Sequence, residues 1–217
     1  STGILTISGT ASIEHYETAL ESITYHSTNN DPTKISTTRT ISWIVSDADS
    51  DGAGIAISSE ENSTINITPL GDAPIITAGS SLNYTENGSN EVIDNTITIT
   101  DADDIELSGA TVTISDGFTE GDMLELETQN GISGSYDNTT GILTISGTTS
   151  IENYKTALRS ITFFSESADP TIIANTRTVS WIVTDANSDN LGSINSLEAI
   201  SIINITPLID LPEITAS

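Results

Sequence analysis

The chain has 217 residues, no cysteine, and 5 basic against 31 acidic side chains, a formal net charge of −26 at pH 7. That balance excludes nucleic acid as a partner, because phosphate binding needs a basic footprint, and it disfavours anionic membrane surfaces. Disulfides and thiolate metal sites are absent, and no apolar run approaches the roughly 20 residues that span a bilayer, so membrane insertion is not expected.

The first element, Thr2-Gly-Ile-Leu-Thr-Ile-Ser-Gly-Thr10, recurs unchanged as Thr140-Gly-Ile-Leu-Thr-Ile-Ser-Gly-Thr148. The offset is 138 positions (140 − 2), and it also relates Pro32 to Pro170, Trp43 to Trp181, Pro69 to Pro207 and Pro74 to Pro212. Across residues 2–76 and 140–214 roughly two thirds of positions agree with no insertion. A period this long is the size of a whole domain, so the chain reads as a fragment of something longer. Residues 1–72 are the C-terminal half of one repeat plus a linker. Residues 73–217 are one complete repeat with its exit linker. The half-repeat would expose an unfinished core unless a further segment or a neighbouring molecule completes it.

Within residues 1–72, Ile4-Leu-Thr-Ile7, Ile23-Thr-Tyr25, Arg39-Thr-Ile-Ser-Trp-Ile-Val45 and Thr64-Ile-Asn-Ile-Thr68 alternate apolar and polar side chains, the period of half-buried strands. Ile13, Tyr16, Ala19 and Leu20 instead follow helical spacing. In the second copy Thr149-Ser-Ile-Glu152 fits a capping box ahead of Ile151, Tyr154, Ala157 and Leu158, which predicts one short helix per repeat. The linker Pro69-Leu-Gly-Asp-Ala-Pro74 is semi-rigid by its two prolines. The complete repeat continues with Ile75-Ile76, Leu82-Asn-Tyr84, Asn95-Thr-Ile-Thr-Ile-Thr100, Ala110-Thr-Val-Thr-Ile114 and Met123-Leu-Glu-Leu-Glu127. Seven to eight strands with turn signals between them predict an all-β, antiparallel Ig-like sandwich.

Candidates for chemistry are few. His15 and His26, the only histidines, are Asn153 and Phe164 in the second copy, and residues 73–217 contain no histidine for a catalytic triad. No nucleophile or general acid/base accompanies the acidic pairs, so no enzyme activity is expected. Arg39 and Arg177 read as exposed or half-buried ion-pair partners, and Trp43 and Trp181 as core residues. The carboxylate clusters stand apart. Asp47, Asp49 and Asp51 before Gly52 space oxygen ligands on alternate residues, as the front half of a calcium loop does, and the repeat writes Asp185, Asn187 and Asp189. Asp101-Ala-Asp103, followed by Asp104, ends a further strand. Either these are Ca2+ ligands or they are solvated, turn-forming clusters. In an antiparallel sandwich Asp101 and Asp103 lie at the end where the chain enters the repeat, with Asp185, Asn187, Asp189 and the linker residue Asp72 beside them.

Tyr84-Thr-Glu86, Asp101-Ala-Asp103, Gly131-Ile-Ser-Gly-Ser-Tyr136, Thr140-Gly-Ile-Leu-Thr144, Tyr154 through Ala157-Leu158, Thr176-Arg-Thr178 and Gly71-Asp-Ala-Pro74 together resemble the cadherin-like (VCBS-type) tandem domains of giant bacterial surface adhesins. The resemblance covers essentially the whole chain. It implies cadherin-like sandwiches stiffened by Ca2+ between domains, with Glu86 running to the opposite junction to join Asp210. Gly71 departs from the Asn usual before the linker aspartate, and the second linker reads Ile209-Asp-Leu-Pro212.

The function expected is that of a structural extender or stalk repeat of an extracellular bacterial adhesin or surface filament, rigidified by calcium at interdomain junctions. Its partners would be neighbouring repeats of the same chain or identical filament subunits, and other domains of the parent would meet cell-surface glycans or proteins. The alternative is a carbohydrate- or ice-binding β-sandwich module, which flat exposed aromatics would favour; aromatic residues make up 5% of the chain.

Overall fold

Period-two alternation becomes a strand only where a second strand receives its backbone hydrogen bonds, and the two copies of the repeat differ in this respect. A computed structural model describes residues 3–187 and 190–209. The chain divides into two units after Pro69.

Among its described residues the first unit holds one helix, α1 (Ile13–Glu21), and one antiparallel hairpin of β1 (Thr38–Trp43) and β2 (Glu61–Asn66). The strands expected at 4–7 and 23–25 do not form, because the strands that pair with their second-copy counterparts come from residues 73–139 and have no equivalent here. No described residue of 3–69 is buried, and α1 buries none of its apolar face.

The second unit contains eleven described strands and one helix: β3 (Ile75–Thr77), β4 (Ser81–Thr85), β5 (Glu91–Val92), β6 (Thr98–Thr100), β7 (Glu106–Asp116), β8 (Asp122–Glu125), β9 (Ser133–Asp137), β10 (Ile142–Ser150), α2 (Ile151–Leu158), β11 (Thr162–Ser165), β12 (Thr176–Asp185) and β13 (Ala199–Thr206). The number exceeds the seven to eight expected; β3 and β6 fall on segments read as strands from the sequence, whereas β5, with two residues, is too short to show a period. One sheet runs β4-β13-β12-β7-β10-β9, and opposite it lie β5-β11-β8 and β3-β6. Every pairing is antiparallel except β13 with β4, so the fold is the all-β sandwich expected. Between the layers are Val112, Leu143, Val179, Trp181 and Ile203 from the large sheet and Ile99, Leu124 and Phe163 from the smaller ones. The rings of Tyr84 and Phe163 meet edge to face at 5.1 Å.

The helix is capped one residue later than the sequence pattern indicates. Ser150 is the N-cap, its hydroxyl accepting the Asn153 amide, and the Asn153 side chain reaches back to Thr149 Oγ1 at 2.7 Å, so Asn153 takes the place expected for Glu152. Tyr154, Ala157 and Leu158 are buried, and the Tyr154 hydroxyl donates to the Gly147 carbonyl at 2.7 Å. Gly147 sits at the irregularity of β10 with φ 131°, where a Cβ would lie 2.1 Å from the Gly131 carbonyl oxygen, so only glycine fits.

Two buried carboxylates from residues 73–139 take hydrogen bonds from residues 140–209. Arg177 is fully buried, not half-exposed as its place at a strand start implied. Its Nε donates to Asp122 Oδ2 at 2.5 Å, and its remaining donors reach Asp122 Oδ1 and the carbonyls of Ala174, Thr176 and Pro170. Asp94 accepts from the amides of Gly79, Ser80 and Thr96 and from the hydroxyls of Thr96 and Ser201, and Ser201 in turn accepts Trp181 Nε1. Burial raises the Asp94 pKa, but the hydrogen bonds from Thr96, Gly79 and Ser80 outweigh it and hold the group at about 2.

Removing Asp122 leaves an unpaired buried guanidinium. Asp122→Ala is therefore expected to destabilise the protein by about 3–5 kcal/mol in urea unfolding, against less than ~0.5 kcal/mol for Lys155→Ala at the exposed Lys155–Glu152 pair. Because the folded-state pKa of Asp94 is depressed, its stabilisation is full above the unfolded value near 3.8 and is lost as pH falls towards about 2. The stability gap between wild type and Asp94→Asn, roughly 2 kcal/mol above about pH 5, should close over that window in acid-unfolding curves.

Candidate metal centre

β6 ends at Thr100, whose partner is Ile75, the first residue of β3 after the linker, so the loop that follows β6 lies where the chain enters the second unit. The loop is shaped by Asp101. Its Oδ1 accepts the amides of Asp103 at 3.1 Å and Asp104 at 3.0 Å, an Asx-type turn that draws three acidic side chains together. One carboxylate oxygen from each of Asp101, Asp103 and Asp104 lies within 4.8 Å of the others. The linker reaches the same place, for the Asp72 amide donates to Asp103 Oδ2 at 2.9 Å.

Two oxygens of this cluster, Asp101 Oδ2 and Asp103 Oδ1, are buried and take no hydrogen bond. Burial pushes the Asp103 carboxyl above its ordinary value, and the neighbouring Asp101 pushes it further the same way. Two unit charges at this separation repel by on the order of 3 kcal/mol at an effective dielectric constant of about 20, more than a neutral hydrogen bond returns. The donor set fits a hard cation. All donors are oxygens, and oxygens that share a calcium ion at roughly 2.3–2.6 Å stand no more than about 5 Å apart.

Asp185 closes β12 opposite Leu107, and the Ala186 amide donates to the Glu106 carbonyl, so this strand end arrives beside the start of β7. Asp185 is buried, and its two carboxylate oxygens accept the amides of Asn187 and Ile194. Asn187, with φ 56°, accepts the Gly192 amide at 2.6 Å. These oxygens thus close the 185–194 loop. Asp47, Asp49 and Asp51 behave alike in the first unit, accepting the amides of Asp49 and Ala56, of Gly54, and of Ala53 respectively. The alternate spacing that reads as a calcium loop also serves a loop capped by its own side chains. Asp189 and Asp210 lie outside the described residues.

Glu86 stands at the other end of the second unit. β4 runs parallel to β13, and the two finish together, with the Glu86 amide donating to the Thr206 carbonyl. The side chain is 3% exposed; Oε2 accepts the Leu208 amide at 2.6 Å, and Oε1 is buried without a hydrogen bond. Asp104, Asp94 and Asp122 are the acidic groups for which the spacing of the sequence offers no role. Asp104 follows Asp101-Ala-Asp103 directly, which is the only local signal for any of them. In the metal-free protein the Asp103 carboxyl should titrate above the usual carboxylate range, and Asp101→Asn should bring it down, as followed by carbon-detected NMR.

No protein-family model matches the chain. A stretch of 127 residues, 56% of the chain, is 33% identical to Halomucin of Haloquadratum walsbyi, of whose length the match covers 1%. The chain is thus similar to a short portion of a very large protein.

Proposed function

We propose that the chain is a structural extender repeat of an extracellular adhesin or surface filament, cadherin-like in type and without catalytic chemistry, whose junctions are stiffened by calcium. One observation carries this reading: buried carboxylate oxygens without hydrogen bonds stand at both ends of the complete repeat, Asp101 and Asp103 with the linker residue Asp72 at one end and Glu86 at the other. The repeat offset makes Asp210 the counterpart of Asp72 (72 + 138), and Asp210 follows Leu208, whose amide holds Glu86. By this reading each linker would contribute an aspartate to a junction, Asp72 at one end and Asp210, which lies outside the described residues, at the other. Similarity to a portion of Halomucin supports a surface location, and among the described residues no helix is long and apolar enough to cross a membrane.

Calcium acts in this scheme by neutralisation. Three carboxylates that repel one another without an ion attract it jointly, so binding favours the folded loop and ties the linker to the sandwich. A hundredfold excess of calcium over its Kd stabilises the binding-competent state by about 2.7 kcal/mol, which for a unit of this size raises Tm by roughly 5–10 °C. Calorimetry and small-angle scattering with calcium and with chelator test this. The expected result is a higher Tm and a more extended particle with calcium, and loss of both responses in Asp101→Asn/Asp103→Asn, which keeps the Asp101 Oδ1 acceptor of the loop. Superimposable curves at physiological ionic strength would overturn the calcium reading.

A further inference from the structure

The chain contains two copies of the C-terminal half of the repeat and one copy of the N-terminal half, residues 73–139, and that one copy is engaged with residues 140–209. The other C-terminal half keeps several local hydrogen bonds of its counterpart. Tyr16 donates to the Gly9 carbonyl as Tyr154 does to Gly147, and Trp43 Nε1 donates to Ser63 at 2.8 Å as Trp181 does to Ser201. Arg39 donates to the carbonyls of Ser36 and Pro32, as Arg177 does to Ala174 and Pro170. What differs is everything that residues 73–139 cover. Leu5 is 68% exposed and Leu143 2%; Val45 is 46% exposed and Val183 fully buried. These residues, with Ile7, Leu20, Ile23 and Trp43, line a groove of about 580 Å³.

The groove retains fittings for an occupant. β1 is paired on one edge alone, whereas its counterpart β12 holds β13 on one edge and β7 on the other. At Gly141 and Gly147, besides a positive φ, a Cβ would strike Phe118 at 2.8 Å and the Gly131 carbonyl at 2.1 Å, both parts of residues 73–139. Gly3 and Gly9 keep the same positive φ, which alone favours glycine, and there a Cβ would meet nothing. Arg39 is held in the posture of Arg177, yet among the described residues it has no carboxylate, while Arg177 closes on Asp122. Ser63 likewise lacks the aspartate that Asp94 supplies to Ser201.

We propose that residues 3–69 are a receptor for a polypeptide segment of the 73–139 type other than the one in this molecule's complete repeat. A β7-like strand of that segment inserts between β1 and the 3–10 stretch. Its counterparts of Asp122 and Asp94 close on Arg39 and Ser63. The proposal rests on the repeat and not on the cation, so it stands or falls apart from the calcium reading.

The test adds a separate polypeptide of residues 73–139 to the full 217-residue chain and follows amide hydrogen exchange and sedimentation. The expected result is a 1:1 complex with new protection confined to residues 3–66, lost with Leu5→Asp in the chain and weakened at least tenfold by Asp122→Ala in the added segment. For a separate segment that does not stay in solution, residues 73–138 are fused ahead of Ser1, the order the repeat itself uses. A second cooperative unfolding transition with protection of residues 3–66 is then expected. No protection in either arrangement, binding indifferent to Leu5→Asp, or self-association of the unmodified chain through this face would overturn the proposal, the last in favour of a second copy as occupant.

Discussion

The second unit depends on β7 being hydrogen-bonded along both edges, to β10 on one side and β12 on the other. Both partners belong to residues 140–209, so the ladder that closes the large sheet also joins the two halves of the repeat. Asp122 and Asp94, from the first half, meet Arg177 and Ser201, from the second, and add directional bonds to an interface otherwise made of aliphatic and aromatic side chains. Such buried polar contacts contribute less to net stability than to register. An Arg–Asp pair with no exposed surface tolerates one alignment of β8 against β12, and a slipped alignment leaves a charge without its partner.

The ends of the unit follow a different logic. In the interior Asp122 and Asp94 each accept several hydrogen bonds, and those on Asp94 hold it ionised. At the two ends, carboxylate oxygens of Asp101, Asp103 and Glu86 are withdrawn from water without donors. The same residue type is therefore found in two settings, as an acceptor whose hydrogen bonds fix the fold and, at the ends of the unit, with a buried oxygen that receives no donor. Loops 47–56 and 185–194 show a third setting, in which alternate Asp and Asn side chains satisfy the amides of their own turn. Spacing along the chain does not separate the second setting from the third, because both place oxygens on alternate residues; burial of an undonated oxygen does.

The repeat, its offset, the sandwich class, the short helix and the acidic loops are legible in the sequence because each rests on local pattern: period-two alternation, helical spacing, turn residues and identity at one fixed offset. The capping residue is misread by one position because Thr149 and Ser150 can both cap, and only the backbone angles of the helix start choose between them. Asp104 joins the cluster although spacing alone singles out Asp101 and Asp103, since the turn made by Asp101 Oδ1 folds the next two residues together.

What the sequence could not decide is most plain where it is identical. Gly-Ile-Leu-Thr-Ile-Ser-Gly-Thr is irregular and exposed at 3–10, whereas at 141–148 all but its first residue belong to β10, with Leu143 and Ile145 buried. Local propensity is the same in both places. Tertiary structure makes the difference, because a strand needs neighbours to receive its amides and a facing layer to receive its side chains, and residues 73–139 supply β7 and β9 to one copy alone. The burial of Arg177 has the same origin: its posture is set by nearby carbonyls and recurs in Arg39, but its charge can be withdrawn from water only where β8 brings Asp122.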